Sequence, residues 1–137
     1  MDAPPAGFRE IAHTADWELE VWAPDLPGLF EHAARGMYSL MGVRLLPTPR
    51  QSRTLELDAF DGESLLVRFL EELLYIQGLD GLAFDAFQID ISEWKLLARL
   101  EGATLHSLGK EIKAVTYHRL KIRSDQGQLE VRIVFDV

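Results

Sequence analysis

Two stretches of the chain repeat apolar residues with the 3.6-residue period of an amphipathic helix. The first covers residues 26–41, with Asp25 in the N-cap position and Gly42 where the helix should stop. The second begins after Asp61 and ends within residues 77–81, and its apolar stripe consists of Leu65, Leu66, Phe69, Leu70, Leu73 and Ile76. Stripes at this spacing predict helices that bury one side in a core.

Six other stretches alternate apolar and polar residues, which is the pattern of a strand with one buried face. They cover residues 17–22, 54–58, 87–91, 94–101, 112–123 and 128–137, and a short extended piece is expected at 8–11. The third and fourth are close enough to form a hairpin with a tight turn at Ser92-Glu93. Residues 102–109 are expected to form a loop.

The order of these elements predicts the fold class. It is strand, helix, strand, helix and then four strands. Residues 54–101 form a complete strand-helix-strand-strand unit, inserted in a second such unit made of residues 17–41 and the C-terminal hairpin. Because strands and helices do not alternate regularly, we expect an α+β fold with largely antiparallel sheets and two main helices. Residues 1–137 should form one domain.

Residues 110–123 carry an excess of positive charge in an acidic chain. Five cations and one carboxylate give this stretch +4, whereas the whole chain has a net charge of −8. As one continuous strand it would expose one cationic face, with Lys113, Val115, Tyr117, Arg119, Lys121 and Arg123 on it, and it would turn Ile112, His118 and Leu120 toward the core. Such a face either pairs with the protein's own carboxylates or binds something anionic.

The loop between the last two strands predicts how they pair. It has an even number of residues, 124–127, so Lys121 should face Glu130 and Val115 should face Asp136. Lys113, two residues before Val115, then becomes the diagonal neighbour of Asp136, about 7 Å away between Cβ atoms. This register predicts a joint site of a lysine and a carboxylate.

Composition excludes several classes of protein. Among the 137 residues there is no cysteine, so disulfides and thiolate metal ligands are excluded. No apolar segment is long enough for a secretory signal or a membrane span, and we expect no membrane partner and a cytoplasmic location. The overall acidity argues against free-standing nucleic-acid binding, which needs charge that neutralises phosphates.

A polar tetrapeptide, His13-Thr14-Ala15-Asp16, interrupts the apolar pattern at the entrance of the strand at 17–22. One interpretation is a turn in which Thr14 or Asp16 bonds to nearby backbone amides. The other is that His13 or Asp16 is a ligand at the rim of a sheet. The residues alone are compatible with both.

Four segments together resemble the archease family. They are His13-Thr14-Ala15-Asp16, the helical stretch 65–75, the octapeptide at 111–118 with the sequence EIKAVTYH, and the final pair Asp136-Val137. The resemblance covers the chain in order, and the lysine-containing octapeptide is its most specific part. It implies the nested fold that the element order predicts.

The resemblance also implies a non-catalytic function. Archeases assist the RtcB-type RNA ligase of tRNA splicing and RNA repair by promoting its guanylylation and multiple turnover, a step that uses GTP and a divalent metal. RNA would then be only an indirect partner, and GTP or guanylate would meet this protein at a shared site. The implied metal, most simply calcium with magnesium or manganese as alternatives, is held by Asp16, Asp136 and the Val137 carbonyl. Lys113 and His13 are the implied functional residues beside it.

Two other functions are compatible with the residues. The chain could be an enzyme in which Lys113 acts as base or Schiff-base former, assisted by Asp16 and His118. It could also be a stand-alone module that binds a small ligand or a metal. Two carboxylates with a carbonyl suit a hard cation, and a nearby lysine suits a phosphate, so the ligand chemistry is coherent without the resemblance.

Overall fold

The computed structural model describes residues 5–11 and 16–137, and within them the chain forms two helices and nine strands. The helices are α1 (Leu26–Met41) and α2 (Gly62–Asp80). The strands are β1 (Gly7–Ile11), β2 (Trp17–Ala23), β3 (Arg44–Leu45), β4 (Gln51–Asp58), β5 (Leu82–Ser92), β6 (Lys95–Ser107), β7 (Ala114–Val115), β8 (Arg123–Asp125) and β9 (Gln128–Asp136). In the described part of the chain neither helix is long and apolar enough to cross a membrane.

The strands form two antiparallel sheets. The first has the order β1-β2-β9-β7, and β8 also pairs with β9. In the second, β6 is central between β4 and β5, and β3 pairs with the far end of β6. The second sheet and α2 come from residues 44–107, which lie between α1 and β7 in the chain. The predicted α+β fold with one unit inserted in the other is therefore confirmed.

Both helices are capped as the sequence predicts. The Asp25 carboxylate accepts the Gly28 N–H at 2.8 Å, and the Asp61 carboxylate accepts the Ser64 N–H at 2.7 Å. These bonds satisfy amides that have no partner within the first turn of a helix. Gly42 ends α1 in the left-handed conformation, with φ of 66°, which an L side chain adopts only with strain.

The core lies between the helices and one face of each sheet. Leu19, Ile133 and Phe135 of the first sheet are fully buried, as are Phe30 and Phe69 of the two helices, whose ring centroids are 5.8 Å apart. Because successive side chains of a strand point to opposite faces, the other face of the first sheet is directed away from the core. That outer face carries the charged residues of β2 and β9, namely Glu18, Glu20, Glu130 and Arg132, and it positions the sites described below.

Several boundaries of the second sheet differ from the prediction, and β4 and β5 begin earlier than expected, at Gln51 and Leu82. The β5–β6 hairpin turns at Glu93-Trp94, one residue later than expected, and both residues have positive φ, 51° and 59°. This is the twist that a two-residue hairpin loop requires. Strand β6 continues to Ser107, so most of the expected loop at 102–109 is strand. Its extension is paired by β3, which the sequence pattern does not indicate.

The predicted register of the C-terminal hairpin is wrong. Arg123, not Lys121, lies opposite Glu130, and the turn consists of Gln126 and Gly127 alone. At the other end, Ala114 rather than Val115 lies opposite Asp136. Between the β7–β9 pairs and the β8–β9 pairs, seven residues, 116–122, lie on one side of the hairpin and four residues, 131–134, lie on the other. The segment before the turn therefore has three surplus residues. We call residues 116–122 the excursion.

The excursion also changes which side chains are buried. Val115 is buried opposite Phe135, although the uninterrupted pattern turned it outward. His118, which was expected on the core side, is exposed, and Arg119 beside it has a left-handed backbone with φ of 53°. Surplus residues break the period of two, so positions before and after them do not share a face.

Candidate functional site

The site is at the end of the first sheet where β9 finishes. Asp136 is the last residue of β9, and its side chain is exposed. The preceding residue, Phe135, is paired with Trp17 of β2. Asp16, which is also exposed, therefore comes at the same end of the sheet, one residue beyond the last pair. The fold thus places Asp16 and Asp136, which are 120 positions apart in the sequence, at the same end of one sheet.

Lys113 lies on the other side of Asp136. Its backbone N–H donates to the Asp136 carbonyl oxygen at 2.8 Å, and the next residue, Ala114, is the strand partner of Asp136. Its side chain is exposed. Asp136 is consequently flanked by the Asp16 end of β2 on one side and by Lys113 on the other, in a register that differs by one residue from the predicted one.

A second lysine approaches this end of the sheet. The ammonium of Lys110 lies 5.3 Å from the centroid of the Trp17 ring, a cation–π distance. The backbone N–H groups of Gly109 and Lys110 both donate to the Met41 carbonyl at the end of α1, at 2.8 and 3.1 Å. The sequence gives no sign of these contacts, because their partners are distant in the chain.

Two glutamates of α2 fix the chain that carries the cations. The Glu71 carboxylate accepts the N–H of Val115 at 2.9 Å, and the Glu63 carboxylate accepts the N–H of Ile122 at 2.9 Å. Val115 immediately precedes the excursion and Ile122 is its last residue, so the two carboxylates hold the excursion at both ends. Sequence reasoning missed both residues, since a glutamate beside an apolar helical stripe has the pattern of a solvated side chain.

The remaining residues expected at the site are placed as follows. Val137 follows Asp136 and is half-buried. His13 lies outside the described residues. His118 belongs to the excursion and faces solvent there.

The chemistry of the donors indicates what this end of the sheet can bind. Carboxylate oxygens of Asp16 and Asp136 and a backbone carbonyl of Val137 are hard ligands, which suit calcium, magnesium or manganese. Within the described residues no group of three or more histidine, cysteine, aspartate or glutamate side chains is arranged to hold a metal. Two carboxylates and a carbonyl are donors of the kind that a hard cation with several water ligands takes.

The fold and this site define a class of protein. It is a small α+β protein with two antiparallel sheets and two helices. Its candidate binding residues are exposed polar side chains at the end of a sheet, and they do not line an enclosed apolar cleft.

Comparison with known proteins specifies the family. The Archease protein family matches residues 8–137. The archease of Methanothermobacter thermautotrophicus is 30% identical over 138 residues, which cover 96% of this chain and 99% of that protein. The archease of Thermococcus kodakarensis is 35% identical over 123 residues, covering 84% and 87%. The crystal structure of an archease from Thermotoga maritima, described as a possible chaperone, has a TM-score of 0.71 at 25% identity and covers 100% of this chain and 98% of that one. The chain belongs to the Archease family.

Proposed function

We propose that this protein is a non-catalytic cofactor that activates an RtcB-type RNA ligase by promoting its guanylylation, and so sustains multiple turnover in tRNA splicing or RNA repair. The observation that carries the proposal is the arrangement around Asp136, with Asp16 on one side and Lys113 on the other. Family membership supports the same function.

A divalent cation held by Asp16, Asp136 and the Val137 carbonyl would supply positive charge for the phosphates of GTP or guanylate. The protein's own residues provide the rest. The Lys113 ammonium would add a point charge and donate hydrogen bonds to phosphate oxygens. The bond from the Lys113 backbone N–H to the Asp136 carbonyl fixes the main chain of this lysine next to Asp136. The activator would then contribute position and charge to a guanylyl transfer whose nucleophile belongs to the ligase.

The test is a guanylylation and turnover assay. The cognate ligase, limiting in amount, is incubated with GTP, manganese and an excess of broken RNA, with and without this protein. We expect faster guanylylation and a change from roughly single to multiple turnover, with no joining by this protein alone. Unchanged guanylylation across a range of metal concentrations would refute the proposal.

The carboxylates can be tested separately from the fold. Asp16→Ala and Asp136→Ala should each abolish divalent-cation binding in calorimetry and stimulation of the ligase, because each removes half the carboxylate charge of the site. Asp90→Ala is the matched control, since Asp90 is an exposed strand aspartate on the second sheet. If either site variant bound calcium as tightly as the unchanged protein, the assignment of that residue would be wrong.

A further inference from the structure

A groove of about 510 Å³ lies on the outer face of the first sheet, beside the excursion. Its walls are almost entirely charged. They contain the cations Arg9, Arg119, Lys121, Arg123 and Arg132, the imidazole of His118, and the carboxylates of Glu18, Glu20 and Glu130. We call this surface the cationic groove. With five cations and three carboxylates it has a local charge of +2 in a chain of net charge −8.

Some of these charges neutralise one another and others do not. The Glu20 carboxylate accepts Arg9 at 3.0 Å and Arg132 at 3.4 Å, so the floor of the groove is internally paired. Arg119, Lys121 and Arg123 form no ion pair with any other residue that the structure describes. Among the described residues, the wall formed by the excursion and β8 therefore presents three cations that form no ion pair, and only Arg123 has a carboxylate, Glu130, opposite it in the strand pairing.

The three available cations form a row. Arg119, Lys121 and Arg123 are exposed, whereas the residues between them, Leu120 and Ile122, are half-buried and pack against the core. Arg119 lies in a turn that is closed by the bond from the Leu120 N–H to the Tyr117 carbonyl, at 3.0 Å. Lys121 and Arg123 are alternate residues after this turn, and in an extended chain such residues are about 6.6 Å apart. Glu63 fixes this wall through its bond to the Ile122 amide.

The neighbourhood of the row favours a nucleic acid over other anions. Tyr117, two residues before Arg119, is 58% exposed and offers a ring on which a base can stack. The same outer face connects the groove with the candidate site. Glu18 and Val134 are paired on this face, and two positions further along the chains lie Asp136, the last residue of β9, and Asp16, the residue before β2. One such step is about 7 Å.

We infer that the cationic groove binds the phosphate backbone of single-stranded RNA and leads it toward Asp16 and Asp136. The inference rests on the proposed function for its choice of RNA, the substrate of the ligase. The acidity of the rest of the chain keeps this binding weak and restricts it to low salt. The protein then contacts the substrate directly, in addition to acting on the ligase.

The test measures binding by the full chain alone, with no ligase present. Fluorescence anisotropy of a labelled 12-nucleotide oligouridylate is followed at salt concentrations from about 25 to 200 mM. Three phosphate contacts predict a slope of log affinity against log salt of about −2, which is a loss of roughly 80-fold over that range. The triple variant Arg119→Gln, Lys121→Gln, Arg123→Gln should bind at least about tenfold more weakly at the lowest salt and have a slope near zero.

The control variant changes the same residue types elsewhere. Arg44→Gln, Lys95→Gln, Arg99→Gln removes the same total charge from exposed positions outside the groove, and its affinity should stay within about twofold of the unchanged protein. Equal loss in both variants would mean a general charge effect and would overturn the inference. So would an absence of RNA binding at about 25 mM salt.

Competition separates RNA from an acidic protein segment. A decaglutamate peptide and a 12-base-pair RNA duplex are added in turn to the labelled complex. Poor competition by both supports a single-strand path, whereas displacement by the peptide at the concentration of unlabelled RNA would assign the groove to an acidic protein partner and overturn the inference. Because the ligase is absent, failure here leaves guanylylation unaffected, and failure of guanylylation leaves this result standing.

Discussion

The bond between Glu71 and the Val115 amide yields the sharpest prediction about the architecture of the site. Val115 is buried, at 5% exposure, and its N–H has the Glu71 carboxylate as acceptor at 2.9 Å. Glu71→Ala removes this acceptor from a helix position where alanine itself is favourable by a few tenths of a kcal/mol. An unsatisfied buried amide costs about 1–3 kcal/mol. The net loss of unfolding free energy should therefore be about 2 kcal/mol.

Urea denaturation measures this loss. With a denaturant dependence of about 2 kcal/mol per molar, the midpoint should fall by about 1 M. Glu71→Gln keeps a neutral oxygen acceptor and should lose only about half as much, since bonds to charged groups are roughly twice as strong. Hydrogen exchange should show lower protection at the Val115 amide in both variants, more so in the alanine one.

Glu72→Ala is the control on the same turn of α2. Glu72 is half-buried like Glu71, and its side chain makes no hydrogen bond or ion pair with another residue of the described chain. Its replacement should change stability by less than about 0.5 kcal/mol. If Glu71→Ala behaved like Glu72→Ala in both denaturation and exchange, the carboxylate would not be what holds β7 in place.

Two further predictions concern the second sheet and the helix α2. Gly102→Ala in the central strand β6 should lower the unfolding free energy by more than about 3 kcal/mol in urea denaturation, because the added Cβ would overlap the carbonyl oxygen of Ala83 in β5. Gly78→Ala should stabilise α2 by about 1 kcal/mol, because a Cβ there has no other atom within 4 Å. Similar values for the two variants would contradict this prediction. The side-chain hydrogen bonds from Arg50 hold the pKa of Asp85 below its ordinary 3.8, so this carboxylate stabilises the fold at pH above that value and the contribution is lost as pH falls through the lowered pKa. Asp85→Asn should be less stable than the unchanged protein at pH 7 and equally stable in acid, by a small amount because the carboxylate is half exposed, and a difference that persisted in acid would exclude the linkage.

Local chemistry explains which features could be predicted from the sequence. The helix starts at Asp25 and Asp61 depend on one carboxylate and an amide three residues later, so the necessary information lies within one turn. The nested fold follows from element order, and buried stripes fix which helix sides face the core. Motif resemblance located the family, and no periodicity could have replaced it.

The register of residues 112–123 could not be predicted, because it depends on contacts with residues that are distant in the sequence. The uninterrupted alternation of residues 112–123 has the pattern of one strand, and nothing within it marks three surplus residues. The excursion is supported by carboxylates of α2, which are 44 and 59 positions away from the amides they bind. The Lys110–Trp17 contact is equally remote in sequence. Register therefore depends on partners that a period-two pattern does not contain.

The three surplus residues of the excursion bear on the two roles that the cationic stretch could have, which are pairing with the protein's own carboxylates and binding an external anion. In an unbroken hairpin Lys121 would lie opposite Glu130, and this cation would pair with the protein's own carboxylate. Because of the excursion, Arg123 lies opposite Glu130 instead, and Lys121 and Arg119 are outside the paired part of the hairpin. The excursion includes a left-handed backbone at Arg119, which is unfavourable by about 1 kcal/mol for a residue with a side chain. The turn is strained, it is held at both ends by carboxylates of α2, and it leaves cations without internal partners. This arrangement is expected of a surface that binds an external anion.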